Sequence, residues 1–295
     1  MSSRRSTALI SLIVLMLVWG STFVATKAAA REITPLMLAA LRFLVAAAIL
    51  VPIAVVRGSF RLLPRPLPWG ALLLMAFTGI TAFAITFTYG LVYGSASQGA
   101  LIYAVLPAAI ALAAVLFLRE RPTRMRIAGI VLSVIGVALL ILTGEQDMNS
   151  PHPVLGAFWM LGAVISWTAY TVIAKRLAHA DYVATIAFIS ALGTLMLLPP
   201  AMFELSHSPW SHPSAGTWLN ILFLGVVASA LAYLVYGYVL RELDASLVGV
   251  YTNLDPIVGV VIAVAFFGET LHGGQIVGGI VALAGMWLAS AENPR

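Results

Sequence analysis

Asp255 stands in the stretch YTNLDPIVG (residues 251–259), beside Pro256 and inside a long apolar run. A carboxylate in such a run is costly to bury unless a donor, a cation or a ligand meets it. The proline after it removes a helix hydrogen bond and bends or breaks the helix. Tyr251 and Asp255 are four residues apart and share a helical face, and Asn253 adds a further polar group nearby. Three chemistries are open to Asp255: carrying a proton, binding a polar solute, or capping the backbone N–H groups that the kink frees.

Other groups invite the same question. Lys27 and Glu269 fall near the ends of apolar runs on one side, Lys175 and Glu120 on the other. They suit two gate ion pairs, each made on the closed side and broken on the open side. The ordinary alternative is snorkelling helix-end charge, or Glu120 pairing with Arg119, Arg121 or Arg124. Arg42 lies several residues inside its run, where a lone arginine costs about 2.5–3.5 kcal/mol. It suits either a solute carboxylate or an anchor to neighbouring helices, and its position nearer one face favours the anchor.

Aromatic residues form the third set. Trp19, Thr22 and Thr26 make one helical stripe, and Trp167, Tyr170 and Ala174 make another. Tyr89, Tyr103, Tyr233, Tyr236 and Tyr251 lie on further runs. Mid-span Trp and Tyr need partners for their N–H and O–H groups, so they should face protein or water rather than lipid. Aromatic faces suit amphipathic or cationic ligands. Trp69, Trp159 and Trp218 fit the interfacial aromatic belt instead.

These groups must be positioned by membrane spans. The 295 residues are 61% hydrophobic and 9% charged, far below the roughly 25% charged residues of ordinary soluble domains. Apolar runs of about 20 residues fit helices that cross about 30 Å of hydrocarbon, and no alternating barrel pattern occurs. The pattern predicts ten spans, at about 7–30, 35–56, 69–92, 97–118, 124–143, 154–175, 182–203, 216–240, 246–267 and 273–291. The first continues past the length of a cleavable signal peptide and reads as an uncleaved span. Thirteen of the 16 Lys and Arg fall on the side of the N-terminus, Lys27 and Arg31 on the other, and Arg42 within span two. This bias puts both termini in the cytoplasm, and it explains the net charge of +5 without nucleic acid.

The chain also repeats itself. LVWGSTFVATK (17–27) matches ISWTAYTVIAK (165–175), so Trp19 aligns with Trp167 and Lys27 with Lys175 at an offset of 148. At an offset of 149, Trp69 aligns with Trp218, Ser97 with Ser246, Pro107 with Pro256, Glu120 with Glu269, Gly129 with Gly278 and Gly136 with Gly285. Each repeat, 1–149 and 150–295, carries five spans. Five is odd, so the second repeat enters the membrane inverted. Inverted repeats are the architecture of secondary transporters, with a midplane site between the halves. Pro107 and Pro256 would bend spans four and nine. The glycines at 129, 136, 274, 278 and 285 give spans five and ten close-packing faces, for a scaffold or a dimer.

Several chemistries lack their residues. There is no cysteine and no GxxxxGKS/T loop, so no thiol or ATP-driven chemistry is expected. The five histidines show no metal-ligand spacing, and no catalytic triad or carboxylate pair can be placed on neighbouring spans. No cofactor, metal or nucleic-acid partner is expected.

LVWGSTFVATK, LRFLVAAAIL, the stretch from YGSASQGALIYAVLP to GVALL, and the stretch from LDASLVGVYTNLDP to GGIVALAGMWL resemble the EamA-type transporters of the drug/metabolite transporter superfamily. The resemblance covers essentially the whole chain, and is nearest to bacterial exporters of the YddG type. It implies a ten-helix basket with a central cavity, and the outward movement of aromatic or other amphipathic amino acids across the bacterial inner membrane. An acidic residue before the second proline, and an arginine at the position of Arg42, are frequent in that family. The resulting expectation is an all-α, multi-pass exporter of amino acids or similar small metabolites, monomeric or weakly dimeric, working by alternating access. Its cavity would be lined by Trp19, Thr22, Tyr89, Tyr103, Trp167, Tyr170, Tyr233, Tyr251, Asn253 and Asp255. One alternative is a proton-coupled multidrug or cation exporter that uses Asp255 as its carrier. A more distant one is a polytopic lipid-modifying enzyme with an Asp255–His acid–base pair; that reading leaves the repeat unexplained.

Overall fold

The computed structural model describes residues 3–118, 123–143, 150–177, 181–208, 212–242, 251 and 254–290. The elements among them are helical: α1 (Ser3–Ala29), α2 (Pro35–Val56), α3 (Trp69–Tyr93), α4 (Ala96–Tyr103), α5 (Leu106–Leu118), α6 (Arg124–Leu142), α7 (Pro153–Arg176) and α8 (Tyr182–His207). α9 runs continuously through Ala215–Leu222, Phe223–Leu231 and Ala232–Glu242, and is followed by α10 (Leu254–Phe267) and α11 (Gly273–Ser290). Among the described residues, six helices are long and apolar enough to cross a membrane, and four shorter apolar stretches accompany them. Large apolar side chains point outward, for example Val56 and Phe266 at 87% and 79% exposure. Such a surface belongs in lipid.

Local signals set the helix ends. Pro35 opens α2 and Pro153 opens α7, where a missing N–H costs nothing. The Ser95, Asp181 and Ser214 side chains accept the first free N–H groups of α4, α8 and α9. Gly58 and Gly268 adopt positive φ (67° and 61°) just beyond α2 and α10. The fourth predicted span is broken. The chain turns at Ala104 and Val105, and Pro107 lies in the first turn of α5. Pro256 is the third residue of α10, and residues 252 and 253 just before it lie outside the described set.

Two segments are wound as π-helix, Phe77–Ala82 in α3 and Phe223–Leu231 in α9. Each carries a glycine in a tight contact. A Cβ on Gly79 would stand 2.4 Å from the Tyr170 ring, and one on Gly225 2.6 Å from Val45 Cβ. These positions let α3 press on α7, and α9 on α2.

The halves interleave. α1 packs on α9 and α10; α7, its counterpart in the repeat, packs on α3 and α5. α2 pairs with α8, and α6 with α11. The α6–α11 seam is reciprocal: a Cβ on Gly285 would meet Gly129 O at 2.8 Å, and one on Gly278 would meet Gly136 O at 3.0 Å. Residues 129 and 278, and 136 and 285, are the pairs related by 149 in the sequence. A two-fold-like contact of this kind is self-complementary.

A loop contact ties α1 to α9. Glu32, between α1 and α2, accepts hydrogen bonds from the Ser214 amide (2.6 Å) and hydroxyl (3.0 Å). The Ser214 amide, then the hydroxyls of Thr217 and Ser214, hold this exposed carboxyl below the usual glutamate range. A depressed folded-state pKa means that the contact is present above the unfolded-state pKa and is lost as pH falls through the lower, folded value. Hydrogen exchange at the Ser214 amide, corrected for intrinsic rates, is therefore expected to accelerate only on acidification below about pH 4.5, the ordinary glutamate value. Protection unchanged on further acidification would mean that Glu32 does not hold this turn.

Candidate functional site

Trp19 and Trp167, equivalent in the repeat, meet edge to face at 6.2 Å between ring centroids. Trp19 also contacts Tyr236 at 5.3 Å and Tyr233 at 6.3 Å, and its Nε1 donates to Ala228 O at 3.2 Å. Trp167 contacts Phe83 at 5.0 Å, Tyr170 at 5.1 Å and Tyr233 at 5.9 Å. Tyr103 joins through Phe23 at 5.8 Å and Phe83 at 6.3 Å. Rings from α1, α3, α4, α7 and α9 thus form one continuous group drawn from both halves. The Trp19–Trp167, Trp19–Tyr233 and Phe23–Tyr103 pairs are edge to face, a favoured geometry for aromatic quadrupoles, and the others are tilted.

Most of the sequence-nominated residues fall here. Tyr103, Tyr170 and Tyr233 are buried within the group. Tyr251 packs with Trp19 and Tyr236 against the α1–α9 core. Thr22 is buried, but its hydroxyl donates to Trp19 O at 2.7 Å and is occupied within its own helix. Tyr89 lies apart. Its hydroxyl donates to Glu204 Oε1 at 3.0 Å, and its ring stacks on Trp159 at 5.1 Å. Glu204 Oε2 in turn accepts the Leu36 and Met37 amides at 2.9 and 3.3 Å, capping α2. Asn253 and Glu120 lie outside the described residues, as does the side chain of Lys175.

Asp255 is 8% exposed, and its Oδ1 is enclosed with no hydrogen-bond partner among the described residues. Tyr103 lies within electrostatic range of Asp255, Arg42, Tyr233 and Tyr236. Arg42, also 8% exposed, donates from Nε to Ser229 Oγ at 2.9 Å and packs on the Phe43 ring. Ser229 lies on α9, so this bond joins α2 to α9.

Lys27 and Glu269 meet at one junction, the turn between α3 and α4. Lys27 Nζ donates to Leu91 O at 2.9 Å and to Gly94 O, the carbonyl end of α3. Glu269 accepts the Ala96 amide on Oε1 at 2.9 Å and the Ser97 amide on Oε2 at 2.8 Å, the amino end of α4. Each charge complements the helix terminus it meets. Both side chains are buried, at 6% and 4% exposure. Phe83, Phe23 and Ser229 were not nominated from sequence. The Ser229–Arg42 contact spans 187 residues and has no local signature.

The arrangement offers aromatic surface, one buried carboxylate and one buried guanidinium. Among the described residues, no three His, Asp or Glu side chains converge as a metal site.

The family model described as EamA-like transporter family matches residues 6–142 and 154–291. An uncharacterized transporter, YetK, of Bacillus subtilis is 27% identical over 98% of this chain and 88% of its own. A Salmonella typhimurium protein named "probable amino-acid metabolite efflux pump" is 29% identical over 94% of this chain and 92% of its own. One named "probable terminal-alkyne amino-acid exporter", from Streptantibioticus cattleyicolor, is 28% identical over 98% and 95%. A crystal structure of another protein shares the fold with a TM-score of 0.67, at 19% identity over 96% of each chain.

Proposed function

Since the chain belongs to the EamA-like transporter family, we propose that it exports amino acids or similar small amphipathic metabolites across the bacterial inner membrane. The observation that carries this reading is the aromatic group built around Trp19 and Trp167, where both halves contribute equivalent residues. A site on the pseudo-two-fold can open to either face by exchanging the conformations of the halves, 1–149 and 150–295. Aromatic faces bind varied amphipathic solutes with few polar hooks, which suits overflow efflux. The relatives named for amino-acid and amino-acid-metabolite efflux support this substrate class. Both termini would be cytoplasmic, following the Lys and Arg distribution. Lys27 and Glu269 would gate the outer face and Lys175 and Glu120 the inner, with Pro107 and Pro256 as hinges.

A second reading is a proton-coupled drug or cation exporter. It is favoured by the Oδ1 of Asp255, which has no hydrogen-bond partner among the described residues and belongs to a group able to exchange a proton for a cation. Proteoliposome flux of radiolabelled amino acids, with and without a pH gradient, separates the two. Flux down a concentration gradient alone supports facilitated export. An absolute requirement for the pH gradient supports the antiporter, and the absence of flux for amino acids, drugs and amines refutes both.

A further inference from the structure

Two buried charges near the aromatic group remain without full partners. Arg42 uses Nε on Ser229 and lays its guanidinium on Phe43, its hydrogen bond and its ring contact among the described residues. Its two Nη groups, up to four N–H donors, meet no acceptor there. Asp255 likewise makes no hydrogen bond there, and its Oδ1 is fully enclosed. The two groups are not bonded to one another. They belong to α2 and α10, one in each half, and both flank Trp19. Ser229, the partner of Arg42, adjoins Ala228, whose carbonyl accepts from Trp19 Nε1, and Asp255 O lies 2.8 Å from where a Cβ on the neighbouring Gly20 would stand. A structural anchor accounts for Nε and one guanidinium face. It leaves the planar fork, the part suited to a carboxylate, with no acceptor among the described residues, on a side chain that is 8% exposed. Leaving such a group unsatisfied is costly, so a transient anion is its natural complement.

We propose that Arg42 and Asp255 form a two-point zwitterion site, with Arg42 Nη binding the substrate carboxylate and Asp255 binding its ammonium, while the aromatic group takes the side chain. This rests on the amino-acid export reading and adds what selects the zwitterion over the amine or the acid alone. Because the two groups ride on different halves, a bridging ligand also ties occupancy of the site to the relative position of the halves.

The test uses the purified full chain and three probes that share one side chain: L-phenylalanine, phenethylamine and 3-phenylpropionate. Equilibrium binding is expected to favour L-phenylalanine over either relative by about 10- to 100-fold, the range of a charge-assisted hydrogen-bonded contact. Arg42→Gln should bring L-phenylalanine down to the level of phenethylamine and leave phenethylamine unchanged. Asp255→Asn should bring it down to the level of 3-phenylpropionate and leave the acid unchanged. Should Arg42→Gln fail to fold, Ser229→Ala keeps the cation and frees its Nε; a smaller loss confined to the two carboxylate probes is then expected. Losses shared equally by all three probes, or no selective loss in any variant, overturn the two-point site and leave amino-acid export standing. Absence of binding and transport of every L-amino acid by the unaltered protein overturns the export reading, and this site with it.

Discussion

Glu269→Ala is expected to lower transport at least about tenfold while the protein still inserts, and exchanging the two charges (Lys27→Glu with Glu269→Lys) is expected not to restore it. Glu269 holds two N–H groups at the start of α4, and Lys27 holds two carbonyls at the end of α3. Removing one member of a buried, charge-assisted network costs about 3–5 kcal/mol. Each 1.4 kcal/mol is a factor of ten in an equilibrium, so a shift of the conformational balance by tenfold uses only part of that cost. The backbone fixes the polarity of the arrangement. A simple ion pair tolerates exchange, whereas here exchange would set an acceptor against carbonyls and a donor against amides. Glu269→Gln keeps one acceptor oxygen and should fall between Glu269→Ala and the unaltered protein. The chain has no cysteine, so a single Cys introduced at Thr22 would report access to the aromatic group. Its labelling from the face carrying Lys27 and Glu269 should rise in Glu269→Ala. Restored transport in the exchanged variant would show that mutual charge, not backbone capping, is what the two side chains provide.

Most spans were legible because each depends on local signals; the break at Ala104 and Val105 in the fourth was not. α2 was read from its apolar length, and its described limits are 35 and 56. Trp19 and Trp167 were nominated through the repeat as equivalent residues for one cavity; that their rings touch was not read from the sequence. Tyr89 was nominated as a tyrosine near a span end, but its neighbours are Glu204 and Trp159, 115 and 70 residues away. Periodicity gives a helical face and not its long-range partner. The π segments in α3 and α9 carry no distinct residue pattern, since hydrogen bonding is shifted without changing composition. Lys27 and Glu269 were recognised as a matched pair of charges, yet the hydrogen bonds described for them go to backbone groups, to which side-chain identity gives no clue. The same holds for Arg42: its cost in lipid was visible, while its bond to Ser229 depends on how α2 meets α9.

Gly285→Leu and Gly136→Leu are each expected to prevent recovery of folded protein, and the corresponding alanine variants to lower the unfolding temperature by a measurable amount. A Cβ on Gly285 would lie 2.3 Å from Ser133 N, and one on Gly136 2.3 Å from Ala282 N. Both obstructions are backbone atoms, so no rotamer change relieves them. α6 and α11 would have to separate, losing the Ser133 Oγ bond to Ala282 O at 3.3 Å as they did so. Overpacking of a close core costs about 1–3 kcal/mol even where side chains can adjust; a seam of backbone against backbone should lie at or above that range. In a membrane this close packing is itself what holds helices together, because lipid tails supply no hydrophobic drive between them. The two contacts, Gly285 on Ser133 and Gly136 on Ala282, are exchanged by the sequence offset of 149 and lie on one seam, so one separation relieves both clashes. The double variant Gly136→Ala with Gly285→Ala should therefore be less destabilised than the sum of the single variants, since neighbouring sites that share one displacement are not additive. Thermal unfolding of the detergent-solubilised chain measures all three. Strict additivity would place the two contacts on independently adjusting helices, and an unchanged unfolding temperature for Gly285→Ala would remove the seam as a fixed point. As a fixed point, it gives the α1–α10 and α5–α7 contacts, which flank the aromatic group, a base against which to move.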